Sequence, residues 1–259
     1  MNKVYKFIFV CSVLVYGNAF SQIFDEQISS PRLKEQIRIN NIKFVIGWSY
    51  NISDSLLNLK GVKYSFERFD KFGNRVEEAL YTHPEYSDYE CTYDYNERGL
   101  ESKSIAYKTR TDKTIYKKWF YKYDEKANQV EKTPPKSYKN NEKWICKFDA
   151  KGNKIEEVSY DVDGNLNYVI NITYDYNSNP LDKTLLDAYG NQLEKWVYKY
   201  DESGYNLYAM QYNADNVLLK KYSYKYNFRT DKVEEVIEDG NGRRLLYIKY
   251  LYQYFKDGQ

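Results

Sequence analysis

The chain is poor in the residues from which metal centres and most catalytic sites are built. Its 259 residues include one His, 3 Cys, 2 Met, 5 Pro and 12 Gly. One His with scattered Cys excludes a conventional His/Cys zinc centre. It also denies any Ser or Cys a demonstrable base, so no catalytic residues are assigned and no enzyme is expected. Charge of one sign is lacking too: 39 basic residues face 37 acidic ones. That balance excludes the basic footprint of a nucleic-acid-binding protein. A mean hydropathy of −0.82 excludes a multi-span helical membrane protein. What the chain has in excess is aromatic surface. Aromatics make up 18% of it and 31 residues are Tyr, which argues against disorder.

Residues 1–21 read as a secretory signal. Lys3 and Lys6 form a positive start, Phe7 to Val15 an apolar stretch, and Ala19-Phe20-Ser21 a small-x-small cleavage site. The apolar stretch is shorter than the roughly 20 residues of a spanning helix. Cys11 follows the bulky Val10 and sits inside it, which disfavours lipid attachment. An uncleaved anchor is the alternative. The expected location is therefore the periplasm, the outer surface or the medium. Two of the 39 basic residues leave with the signal, so the mature chain balances 37 against 37.

A repeat organises the remainder. Aromatic-Asp/Asn steps occur at Phe69-Asp70, Tyr93-Asp94, Tyr123-Asp124, Phe148-Asp149, Tyr174-Asp175, Tyr200-Asp201 and Tyr226-Asn227, with a constant 26-residue spacing from Phe148 onward. Asp161, Asp187, Asn213 and Asp239 form a second series with the same 26-residue period. Gly often stands fourth, as in Asp70 to Gly73 and Asp161 to Gly164. Asp opening a type I turn and Gly tolerating positive φ are hairpin chemistry. Each unit is thus two strands and two turns.

The strand before each step alternates with period two. Trp119, Tyr121 and Tyr123 share a face, as do Trp144, Cys146 and Phe148, then Ile170, Ile172 and Tyr174, and later Trp196, Tyr198 and Tyr200. The other face carries Lys122, Lys147, Thr173, Lys199 and Lys225. The return strands, with Glu156-Glu157 and Glu234-Glu235, need a bulge to keep a common face. The expected fold is all-β: a repetitive antiparallel β-hairpin meander with about 26 residues per two-strand unit. Some 14–16 strands at about 4.8 Å form one large, strongly curved sheet with its aromatic face inside. Residues 61–259 hold the repeats. Residues 22–60 supply a lead-in, in which Pro31 suits a helix start, and a first hairpin strand within Ile39 to Tyr50.

Phe69-Asp70-Lys71-Phe72-Gly73-Asn74, Phe148-Asp149-Ala150-Lys151-Gly152-Asn153 and Tyr200-Asp201-Glu202-Ser203-Gly204 resemble the YD, or RHS, repeat. The likeness covers about residues 60–255. It implies a secreted or surface protein whose hairpins coil into a curved strip or hollow shell, in a family with members linked to carbohydrate binding or toxin encapsulation. The unit here is longer than the short family repeat. That implies a relative that keeps the hairpins without the delivery role.

The candidate ligand-binding residues are Tyr89, Trp119, Trp144, Trp196 and Tyr222, read as one aromatic ladder on successive units. Exposed, such a ladder stacks sugar rings or grips an extended polymer. Buried, it is the core. Cys91 and Cys146, placed two units apart, are expected to be free buried thiols. The Asp turns supply about half the oxygens of a calcium loop, so no metal or cofactor is expected. His83 reads as a loop residue, and the Glu pairs as a solvated, Lys-paired face. A transmembrane barrel would place the Tyr columns against lipid across the whole band, where aliphatics belong. The expected function is an exported, non-enzymatic binding module for a glycan or extended polymer. The alternative is a scaffold that meets a protein partner through sheet edges or turns. A monomer is expected, with no nucleic acid bound and no transmembrane span in the mature chain.

Overall fold

In a computed structural model, residues 31–50, 61–81, 89–107, 114–126, 129–133 and 143–256 are described. The signal region, the Asn51 to Lys60 loop and His83 lie outside them. The described chain opens with a helix, α1 (Pro31–Ile39), and continues through β1 (Ile42–Tyr50), β2 (Val62–Phe69), β3 (Arg75–Leu80), β4 (Tyr89–Tyr95) and β5 (Glu101–Tyr107). There follow β6 (Ile115–Tyr123), β7 (Gln129–Thr133), β8 (Lys143–Phe148), β9 (Lys154–Tyr160), β10 (Leu166–Tyr174) and β11 (Pro180–Asp187). The last are β12 (Gln192–Tyr200), β13 (Asn206–Asn213), β14 (Leu218–Tyr226), β15 (Lys232–Asp239) and β16 (Arg244–Tyr254).

Each strand pairs antiparallel with its sequence neighbours, as a meander should. The sheet is not open, however. β1 pairs with β16 as well as β2, with Gly47 opposite Tyr250 and Tyr50 opposite Tyr247, so the 16 strands close into a barrel. Twist accumulates across so wide a sheet, and closure removes both unpaired edges. That corrects the expected single curved sheet. It also takes away the sheet edges as a partner site, leaving only turns and faces.

The turns follow the sequence chemistry. Asp161 Oδ1 accepts from the N–H groups of Asp163 (2.9 Å) and Asn165 (2.8 Å), and its Oδ2 from Asn165 Nδ2 (3.1 Å). The same three bonds recur at Asp70, Asp149, Asp175 and Asp187, each followed four residues on by Asn. These carboxylates are saturated by their own turns, and turn chemistry accounts for them fully. Those hydrogen bonds hold Asp149, Asp161 and Asp187 below the usual carboxylate range.

The tyrosine before a turn has its own task. The hydroxyls of Tyr95, Tyr123, Tyr174, Tyr226 and Tyr252 donate to the carbonyls of Arg75, Glu101, Lys154, Asn206 and Lys232 at 2.6–3.1 Å. Each latch ties one unit to the start of the preceding return strand. It also corrects the repeat register in one unit. The turn there begins at Asn96, which accepts from the N–H of Arg98, with Gly99 at positive φ. Tyr93-Asp94-Tyr95-Asn96 holds two overlapping steps, and the glycine selects the second. Cys91, not Tyr89, therefore stands at the Trp119 position.

The aromatic columns face inward. Outward residues flank them with charge: Lys118-Phe120-Lys122 on β6, Lys143-Ile145-Lys147 on β8 and Lys195-Val197-Lys199 on β12. Across the hairpins these meet acids, in Lys122–Glu131 (2.7 Å), Lys225–Glu234 (2.9 Å) and Arg68–Glu77 (2.9 Å). The bulge required of the return strands is present after each turn, for example between Lys147 and Phe148. It splits the acid pairs: Glu156 points out to Lys147, whereas Glu157 is buried. Glu234 and Glu235 divide alike, so only half of each pair belongs to the solvated face.

α1 begins at Pro31, whose missing N–H is no loss at a helix start. Lys34 Nζ donates to the Gly99 carbonyl at 3.2 Å, and Asn40 Nδ2 to Asp231 at 2.7 Å. Gln36 donates to the Thr230 carbonyl. Gly73, at φ +79°, lies so close that a β-carbon would collide with the Lys34 carbonyl. These turns belong to β2–β3 and β4–β5 on one flank and β14–β15 on the other. The helix therefore runs across one mouth of the barrel, with Ile37 buried among Ile42, Val45, Phe69, Ile248 and Tyr250.

Candidate functional site: the inner wall of the barrel

A ring of eight strands is just filled by its own side chains, and one of 16–18 leaves a channel. The core here is accordingly distributed along the wall, in four separate clusters. Glu67, Tyr224 and Tyr252 are part-exposed on this wall, and surrounding protein desolvates all three.

Trp119, Trp144, Trp196 and Tyr222 all lie on this wall and are 9%, 5%, 5% and 5% exposed. They fall into two groups. Trp196 and Tyr222 pack with rings 5.2 Å apart, beside Tyr198, Ala209 and Ile237. Trp119 and Trp144 pack with Ile170 and Ile172. The side chain of Tyr89 is outside the described residues, and its position corresponds to no tryptophan. Cys91 and Cys146 are free and buried, on strands four apart in the ring.

Sequence reading missed the inward charges, most of which sit on the bulged return strands, while Glu194 shares the β12 face of Trp196 and Tyr198. Glu235 is 2% exposed; it takes Lys232 Nζ at 2.9 Å and the Tyr250 hydroxyl at 2.6 Å. Lys232 lies over the Tyr250 ring at 4.5 Å. Glu194 accepts from Trp196 Nε1 and from Gln211 Nε2 at 2.8 Å. Glu157 takes Lys154 at 2.7 Å, and Arg75 pairs with Glu78. The recurrent Arg/Lys-x-x-Glu at 75–78, 154–157 and 232–235 was the available signal. Burial pushes the hydroxyls of Tyr224, Tyr250 and Tyr252 well above their ordinary value, with Glu235 adding to the first two and Asp231 to the third. Tyr64 is raised to about 12 by desolvation and Glu235. These phenols stay neutral donors at physiological pH. Among the described residues no cluster of His, Cys, Asp and Glu suits a metal.

Glu67 has a raised pKa, chiefly by desolvation, partly offset by Arg75 and Lys232. Its charged form thus opposes folding: stability is full below the ordinary carboxylate value and falls as pH rises through the folded pKa. Glu67→Gln is expected to melt higher than the parent at pH 7, with the difference vanishing as pH falls below about 4. Thermal melts of both proteins from pH 3 to 8 measure it.

No family model matches the chain, and no curated protein matches it either. Among solved structures, a porin-like protein from Bacteroides uniformis aligns with a TM-score of 0.51 at 9% identity, covering 82% of this chain and 98% of that one. That likeness shows a barrel fold. A porin-like protein from Bacteroides vulgatus gives 0.37 at 9% identity over 82% and 98%. A TcdB2-TccC3 structure gives 0.31 at 12% identity, covering 83% of this chain and 13% of that one. At those scores neither adds to the fold assignment. The resemblance to the YD repeat rests on the residues quoted above alone, and none of these comparisons shows that family.

Proposed function

We propose that this protein is an exported, non-enzymatic binding barrel whose aromatic lumen holds a glycan or a similar extended polymer. One observation carries the reading. The inner wall of the closed 16-stranded ring interleaves Trp and Tyr with buried Lys, Glu and Gln, and rings of 16–18 strands in porins leave a channel. Aromatic walls with a few polar groups are the usual lining of ligand sites. A wall that only filled space would need no buried charge. The outer face supports an aqueous setting. On β6, β8 and β12 its apolar residues stand between lysines, and an apolar row is confined to β1 and its neighbours, where Phe44, Ile46 and Trp48 meet Phe66 and Leu251; a lipid-facing band would be apolar all round the ring.

The test is a glycan array probed with residues 22–259, followed by the Trp119→Phe and Trp196→Phe variants. Saturable binding that weakens severalfold in the variants, with unchanged circular dichroism, is the expected result. A blank array would sink the glycan reading and favour a scaffold that meets a protein through its turns. The barrel is also expected to stay in the aqueous phase on detergent phase separation.

A further inference from the structure

Lys132, Trp144 and Ser159 stand side by side on β7, β8 and β9, paired Lys132 to Trp144 and Trp144 to Ser159, all facing inward. They are 7%, 5% and 0% exposed. The Lys132 ammonium lies 4.8 Å from the Trp119 ring centre and 5.7 Å from that of Trp144. It has no carboxylate partner among the described residues. Glu157, the nearby inward acid of β9, is already taken by Lys154 at 2.7 Å. Trp144 Nε1 and Ser159 Oγ are fully buried and have no hydrogen-bond partner among the described residues. Glu235 on β15 is likewise taken, by Lys232 at 2.9 Å. Here a cation held only by two indole faces shares one row with two polar groups that lack hydrogen-bond partners, at a cost to folding.

All three groups are donors: an ammonium, an indole N–H and a hydroxyl. A neutral sugar hydroxyl can occupy one of them but cannot neutralise the charge. An oxyanion answers all three through charge-assisted bonds. Ile170 and Ile172 pack against the two indoles in the same cluster and hold them in place. We propose that Lys132, Trp144 and Ser159 form an oxyanion-binding subsite that selects sugars bearing a carboxylate or sulfate group. This rests on the lumen-binding reading above and names its ligand class.

The experiment is calorimetry with a hexuronate oligomer, a sulfated oligomer and a neutral oligomer of equal length, at fixed ionic strength. At least one acidic oligomer is expected to bind tenfold or more tightly than the neutral one, and the better of the two identifies the anion. Lys132→Met should erase the preference and Lys132→Arg should largely keep it. Trp144→Phe, which retains the ring and loses the N–H, should weaken acidic ligands severalfold. Without ligand, Lys132→Met should melt no lower than the parent, since it removes an unpaired charge. Equal affinity for neutral and acidic oligomers, or a preference that survives Lys132→Met, overturns the subsite and leaves the lumen reading standing. A lower melting point in Lys132→Met makes Lys132 a structural cation and likewise overturns it. Failure of all three oligomers to bind overturns both.

Discussion

Trp196→Ala should lower the unfolding free energy by about 3–5 kcal/mol, among the largest losses expected for a single residue here. The indole is 5% exposed and packs on Tyr222 at 5.2 Å and Tyr198 at 6.5 Å. Its truncation opens a cavity in the wall. It also removes a donor from Glu194, which then keeps only Gln211. Trp196→Phe retains most of the packing and should cost about 1–3 kcal/mol, through the under-satisfied carboxylate. Urea denaturation of the two variants separates the contributions. The result bears on function as well. A loss below about 1 kcal/mol for Trp196→Ala would mean that the ring is wetted by the lumen, not packed as core.

The second large effect concerns charge. Lys232→Met should cost about 3–5 kcal/mol, because it strands a buried carboxylate. Glu235 would keep only the Tyr250 hydroxyl, and Glu67 would lose one of the two cations that lower its pKa. Adding Glu235→Gln to Lys232→Met should restore most of the loss, since the pair is removed together. The non-additivity of the double-mutant cycle is the quantity to measure. If Lys232→Met falls within about 0.5 kcal/mol of the parent, Glu235 is solvated by water in the lumen and the hollow extends to that level.

Both effects sit on a wall whose main columns were legible in the sequence. The period-two alternation of Trp119-Tyr121-Tyr123 and its successors placed the aromatics on one side, and they are inside. The Asp-x-x-Gly-Asn turns foretold their own hydrogen bonds. Pro31 marked the start of α1. The misreading at Tyr93-Asp94 came from two overlapping steps, between which Gly99 decides. The candidate subsite was not legible. Lys132 lies on the short β7, and only its register with Trp144 and Ser159 brings three donors into one row.

The division has a physical cause. Strands, turns and the inward face depend on residues within about ten positions of one another, so composition and spacing determine them. Closure depends on β1 meeting β16, some 200 residues away along the chain. No local pattern encodes that contact. It follows from twist accumulated over 16 strands and from the unpaired edges that closure removes. The facing of the return strands was likewise settled only in three dimensions, by the bulge that sends Glu156 and Glu234 outward and leaves Glu157 and Glu235 inside. Sequence alone thus determined an aromatic-faced hairpin repeat, and the tertiary structure decided that its face lines a closed and charged interior.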